Sequence, residues 1–148
     1  MIYIITIIVL VVIDQVAKRW AYNYLQAIGS IPVTNWFSLT YVENQGAAFG
    51  IMYGARWFLI IASIAILIYL YIVFKKTPNT GFNRYFRWSI IIIIAGAIGN
   101  LIDRILFGFV IDYLQVTFIN FPVFNFADIL IVVGAIVFGV LSVFFIKE

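Results

Sequence analysis

The sequence predicts an all-α polytopic membrane protein with four transmembrane helices. Three observations predict it. The chain of 148 residues is 66% hydrophobic and 10% charged, with a mean hydropathy of +1.14. A soluble domain keeps a polar exterior and has no use for so much apolar surface. The apolar residues fall into four runs near the length that crosses a bilayer, and four basic residues crowd one short loop, the pattern that fixes orientation. Residues 1–148 therefore read as a single integral-membrane domain, with spans at about 2–23, 57–74, 88–107 and 126–146. The net charge of +3 is small. It sets topology and does not call for nucleic acid.

The first span opens on MIYIITIIVLVVI, which lacks the basic flank and small-residue cleavage site of a secretory signal peptide. It continues past Asp14 to about Asn23. Asp14 and Lys18 stand four apart with the acid first, so they share a helix face and can pair. At 1.5 Å per residue, Asp14 lies roughly 18 Å from the first apolar residue, past the bilayer centre, so the pair should face protein.

Gly29 to Arg56 has no transmembrane pattern. Ile31–Val42, IPVTNWFSLTYV, is β-branched, aromatic and partly alternating, which predicts a short strand or two. Gly46 and Gly50 then mark a turn or a close backbone approach, and Ala47–Trp57 reads as a short interfacial helix. Trp57–Phe74 is a charge-free run of 18 residues. Lys75, Lys76, Arg84 and Arg87 follow, around Pro78 and Gly81, and mark a cytoplasmic loop. The Gly29–Trp57 loop carries only Arg56, so both termini are expected in the cytoplasm.

Trp88 starts the third span. Asp103 falls roughly 23 Å along it, near the outer face. Asn100 and Arg104 share a helix face with Asp103 beside them, and Ala95, Gly96, Ala97 and Gly99 permit close helix packing. Gly108 loosens the helix end and leaves Asp112 at the outer boundary. Tyr113–Phe124 is an aromatic loop in which Pro122 forbids continuous helix. Asn125 is placed to cap the fourth helix, with Asp128 at its third position. Ile129–Ile146 carries no charge. Every polar group inside a span falls in the outer half.

With no cysteine and no histidine, the chain has no disulfide, thiol nucleophile, thiolate metal site, Ser-His-Asp triad or H-E-x-x-H zinc motif. No metal and no cofactor is expected. Acid–base chemistry is left to carboxylates, Lys and Tyr. Three of the six carboxylates, Asp103, Asp112 and Asp128, lie in the apolar stretch Gly99–Asp128. There a charge at the bilayer centre costs roughly 2.5–3.5 kcal/mol.

Singly, Asp128 reads as an acid complementing a helix dipole, and Asp112 as a loop carboxylate in water. As a pair they read differently. The third and fourth helices are antiparallel neighbours, so both acids arrive at one depth. Two carboxylates around one water do not both ionise easily. One can take a proton from water while the other donates to a carbonyl oxygen, which is peptide hydrolysis without a covalent intermediate.

Five short motifs stand in order: Asp14-Gln15 with Lys18; Asn44-x-Gly46-Ala47-Ala48-Phe49; Gly99-Asn100-x-x-Asp103-Arg104; Val110-x-Asp112-Tyr113; and Phe121-Pro122-x-Phe124-Asn125-x-Ala127-Asp128. In these motifs, over almost its whole length, the chain resembles the bacterial lipoprotein signal peptidases, the type II signal peptidases. The resemblance implies Asp112 and Asp128 as the catalytic pair of an aspartic endopeptidase. It implies Asp14, Lys18, Asn44, Gly46, Asn100, Asp103, Arg104 and Asn125 as supporting or substrate-binding residues. It also implies a small extracytoplasmic β-cradle and a short interfacial helix beside the four spans, and a site near the outer face of the bacterial cytoplasmic membrane. The substrate class it implies is prolipoprotein, cut before a cysteine that carries diacylglycerol, with membrane lipid as the other partner. Tyr113 and Ile129 depart from the commoner Phe and hydroxyl residue. Neither removes a catalytic group, though Ile129 leaves less hydrogen bonding beside Asp128.

Two other classes are weighed against this one. A small proton-coupled transporter would spread its acids across the membrane, often on repeated, broken helices; here the acids lie in one half and no repeat is visible. A non-catalytic assembly partner, with polar groups only joining helices, leaves the pairing of Asp112 with Asp128 unexplained.

Overall fold

The computed structural model describes residues 1–46 and 52–145. Helix α1 (Ile2–Trp20) runs on through a π-helical turn at Ala21–Leu25 and a last α turn at Gln26–Ile28. Strands β1 (Ser30–Thr34) and β2 (Phe37–Asn44) follow, then α2 (Arg56–Lys76), α3 (Asn83–Leu106), β3 (Val110–Val116) and α4 (Phe126–Phe145). Among the described residues, α2, α3 and the Phe126–Val143 part of α4 are long and apolar enough to cross a membrane. Helix α1 is of similar length but carries Asp14, Lys18 and Arg19.

α3 is the central helix and packs against α1, α2 and α4. Half of its apolar window is buried, against 17% for α2 and α4, so the outer helices turn most of their apolar surface outward. Its small residues explain its closeness to α4. A Cβ on Gly96 would run into the Ala127 carbonyl and come within 2.9 Å of Ile131. Gly99 admits α1 in the same way, because a Cβ there would strike the Asp14 carboxylate.

The sheet is antiparallel with order β1-β2-β3. Its register pairs Ile31 with Leu39, Ser38 with Gln115, Val42 with Asp112 and Asn44 with Val110, with an irregularity between Leu39 and Val42. Leu114 also bridges to Phe124, through the Leu114 N–H on the Phe124 carbonyl at 2.8 Å and the return bond at 2.9 Å. This clip brings the 117–124 segment back along β3 and delivers Asn125 beside it. Ala21, Leu25, Ile111 and Tyr113 form the core that seats the sheet on the end of α1.

Several expectations are corrected. The first helix does not stop near Asn23; its π turn buries Ala21 and Leu25 against the sheet and carries it to Ile28. Val110–Val116 is strand rather than helix end and loop, because its β-branched and aromatic residues find β2 as a partner. The 75–87 loop shrinks: Lys75 and Lys76 end α2, while Arg84 and Arg87 lie inside α3, which starts at Asn83 rather than Trp88. Of the interfacial helix expected over Ala47–Trp57, residues 47–51 lie outside the described part. The rest is a turn at Met52–Gly54 followed by the start of α2.

Candidate active site

Asn125 ties the two acids together. It precedes the first residue of α4, and its side-chain oxygen accepts the Asp128 N–H at 2.9 Å while Asp128 Oδ2 accepts the Asn125 N–H at 3.1 Å. This reciprocal cap satisfies donors that the helix itself leaves open. The Asn125 amide nitrogen also donates to Asp112 Oδ1 at 2.6 Å and to Asn100 Oδ1 at 3.2 Å. Asp112 Oδ2 accepts from Asn44 Nδ2 at 3.0 Å, across the β2–β3 pair. Asp128 Oδ1 accepts from Asn100 Nδ2 at 2.8 Å. Each carboxyl thus has both oxygens held by nitrogen donors, and the two are joined through Asn125 and Asn100.

Asp112 is not a loop carboxylate in water, since only 1% of it is exposed on β3. Burial pushes its carboxyl up to about 7, and nearby Asp128 adds to the rise. The donors on Asn44 and Asn125, with the charge of Lys18, oppose it. Burial disfavours a charged carboxylate, and a second carboxylate does so again.

Both acids line a cavity of about 490 Å³ with Asn44, Asn100 and Arg104. The remaining wall is apolar: Val110, the 121–124 segment, and Ile129, Val132 and Val133 on one face of α4. Arg104 Nη2 donates to the Gly46 carbonyl at 3.1 Å, and the Gly46 N–H donates to Asn44 Oδ1 at 3.0 Å. Gly46 therefore fastens the first loop to both sides of the cavity.

Behind the cavity lies a second polar group, closed to solvent. Lys18 Nζ is 3.0 Å from Asp14 Oδ2 and 3.0 Å from Asp103 Oδ2, and donates to Asn100 Oδ1 at 2.9 Å. Asp14 Oδ1 accepts the Ala127 N–H at 3.0 Å, and Asp103 Oδ2 accepts the Ile111 N–H at 3.1 Å. The two acids thus hold the residues just before Asp128 and Asp112 in sequence. Asp14 and Lys18 do pair as expected, but they pair within a larger group that includes Asp103.

All ten residues picked from the sequence meet in these two connected groups. Two participants were missed. Gln15 Nε2 bonds Asp103 Oδ1 at 3.0 Å, and Asp14 Oδ2 and the Gly99 carbonyl at 3.2 Å each. Its place in the first motif was a signal. Arg56 closes the α3 end through the Arg104 and Ile105 carbonyls at 2.9 and 2.8 Å, and no local pattern indicates that. Among the described residues, no three His, Cys, Asp or Glu side chains are grouped to hold a metal ion.

The chain matches the family model described as signal peptidase (SPase) II over residues 6–145. It is 45% identical to a protein named lipoprotein signal peptidase from Clostridioides difficile, covering 98% of this chain and 97% of that one. A protein of the same name from Caldanaerobacter subterraneus subsp. tengcongensis is 43% identical, with 95% of each chain covered. A solved structure described as a bacterial membrane enzyme superposes with a TM-score of 0.85 at 34% identity, over 99% of this chain and 91% of that one. A second, of the same description, gives 0.83 at 33% identity, over 97% and 92%.

Proposed function

The chain belongs to the signal peptidase II family, and on that premise we propose how it works: as an aspartic endopeptidase whose catalytic pair is Asp112 and Asp128. It is a multi-pass membrane protease that removes signal peptides from prolipoproteins. Cleavage falls before the cysteine that carries diacylglycerol. One observation supports the pair above the others: two carboxyls, each held by two nitrogen donors and joined through Asn125, line one largely apolar cavity.

A carboxyl pushed up to about 7 keeps its proton near neutrality, which suits Asp112 to the acid role. Asp128 takes a proton from a water held between them, and that water attacks the scissile carbonyl carbon. Asp112 gives its proton to the carbonyl oxygen, so the tetrahedral intermediate is neutral. On collapse the C–N bond breaks and Asp128 passes its proton to the departing cysteine nitrogen, while Asp112 recovers one from the intermediate's hydroxyl. The products are a signal-peptide carboxyl and a lipidated cysteine with a free amine. The Asn44, Asn100 and Asn125 amides fix both carboxyls throughout.

Topology and substrate access follow from the same reading. α1 is the fourth span, its Asp14 and Lys18 being tolerated because both are buried against protein. The acids sit at the end of α3 opposite Arg84 and Arg87, so the site and the sheet face outward and both termini face the cytoplasm. Exposed Val132 and Ile136 continue the cavity wall along α4, an apolar track for the signal helix or the acyl chains. An acylated substrate is already partitioned to this depth, at about 0.8 kcal/mol per buried methylene. The transporter alternative has no comparable support, because the acids gather in one cluster instead of forming a path along the bundle.

The test is cleavage of matched prolipoproteins, with and without the lipid on cysteine, by purified enzyme in nanodiscs. The lipidated form is expected to have the higher kcat/KM by roughly 10²-fold or more, as for a substrate whose remote binding energy is used in the transition state. Equal values would reduce the assignment to a membrane peptidase without lipid recognition.

A further inference from the structure

We infer that Lys18, which hydrogen-bonds to neither catalytic acid, is a positioning residue that fixes the Asn100 amide throughout the reaction. The inference deepens the reading of Asp112 and Asp128 as the catalytic pair and rests on it. An ammonium group has three N–H donors and no acceptor. Lys18 is 1% exposed, and its three partners are Asp14, Asp103 and the Asn100 side-chain oxygen. Since Lys18 only donates, Asn100 must turn its oxygen toward it, which points the Asn100 NH2 at Asp128 Oδ1. The same oxygen accepts from Asn125 Nδ2. The Asn125 amide is set independently, its oxygen accepting the Asp128 N–H and its nitrogen turned toward Asp112.

Asp128 cannot maintain this order alone. As a carboxylate it only accepts, and it holds the Asn100 NH2. Once it has taken a proton it can also donate, and the Asn100 oxygen is then kept in place by Lys18 at 2.9 Å and, at a longer 3.2 Å, by Asn125 Nδ2. Lys18 lies 3.0 Å from each of two carboxylates, and its ammonium group offers only donors. It removes the alternative orientation at the step where one becomes available.

Removing Lys18 alone leaves Asp14 and Asp103 uncompensated in a closed site, which destabilises strongly whatever its other role. The informative chain is therefore Lys18→Met combined with Asp14→Asn, which loses one cation and one anion. It keeps an oxygen for the Ala127 N–H and the Asp103 bond to Ile111. Its Tm is expected to recover relative to Lys18→Met alone. Its kcat should stay roughly tenfold or more below the parent, with a smaller change in KM, as for an interaction that matters after substrate binds. In an Asn100→Ala background, the same Lys18 change should cost no further kcat, because the amide through which it acts is gone. Should the Met chain not fold, the cycle is run with Lys18→Leu and Asp14→Asn. A kcat that recovers with Tm, or losses that multiply in the Asn100→Ala background, would overturn the inference and assign Lys18 to charge balance alone. Failure of the underlying reading is separate and visible: Asp128→Asn would then turn over.

Discussion

Asp112 is expected to act in opposite directions on activity and on stability. Its folded carboxyl is pushed up to about 7 from the ordinary 3.8, first by burial and then by Asp128. The folded state therefore binds the proton more tightly than the unfolded chain does. The stability this represents is fully present below about pH 4 and is lost as pH rises through about 7, a cost on the order of 4 kcal/mol when complete. Asp112→Asn removes the ionisation. Relative to the parent, its Tm should be highest at pH 8 and should fall back as pH drops toward 5, read in detergent at both values. A Tm difference that is the same at pH 5 and pH 8 would contradict the buried, proton-holding Asp112. Parent kcat/KM should fall above about pH 7 as the same proton leaves. That Asp112 was a candidate was legible from a carboxylate in an apolar stretch; its burial was not, because it depends on the pairing of β3 with β2, about seventy residues earlier.

At the scale of elements, the site depends on how closely α3 and α4 approach. The small residues at Ala95, Gly96, Ala97 and Gly99 announced that approach, and the Asn125–Asp128 cap was equally legible, because both are local rules. β3 was not. Its VIDYLQV becomes a strand only when paired with β2, and an aspartate within it argues against strand on propensity. Two alanine substitutions separate propensity from packing. Ala in place of Gly favours a helix by about 1 kcal/mol. At Gly96 the new Cβ meets the Ala127 carbonyl and Ile131, so α4 must move, at roughly 1–3 kcal/mol. At Gly139 it meets nothing within 4 Å. Gly96→Ala should lower Tm and turnover together, since Ala127 adjoins Asp128, while Gly139→Ala should hold or raise Tm. A Gly96→Ala protein with parent Tm and rate would refute the close approach.

For the whole molecule, composition and the four apolar runs made the helical plan legible, and the basic residues near Thr77 gave its expected orientation. What composition could not give is the convergence of α1, α3, β2, β3 and α4 on one polar cluster, since long-range contacts leave no period in the chain. Orientation is open to a direct check, because the chain has no cysteine. Thr77→Cys should react with a membrane-impermeant maleimide only after the cytoplasmic side is opened. Labelling in intact cells would reverse the topology and the side on which the site lies. The central claim, that Asp112 and Asp128 together hydrolyse the bond before a lipidated cysteine, is tested most directly by turnover of a diacylglyceryl-prolipoprotein by three purified proteins: parent, Asp112→Asn and Asp128→Asn. Both variants should fold and stay membrane-embedded, and each should lose roughly 10²–10⁴-fold or more in kcat, the scale of a lost general acid or base. Parent-level cleavage by either variant would contradict the account.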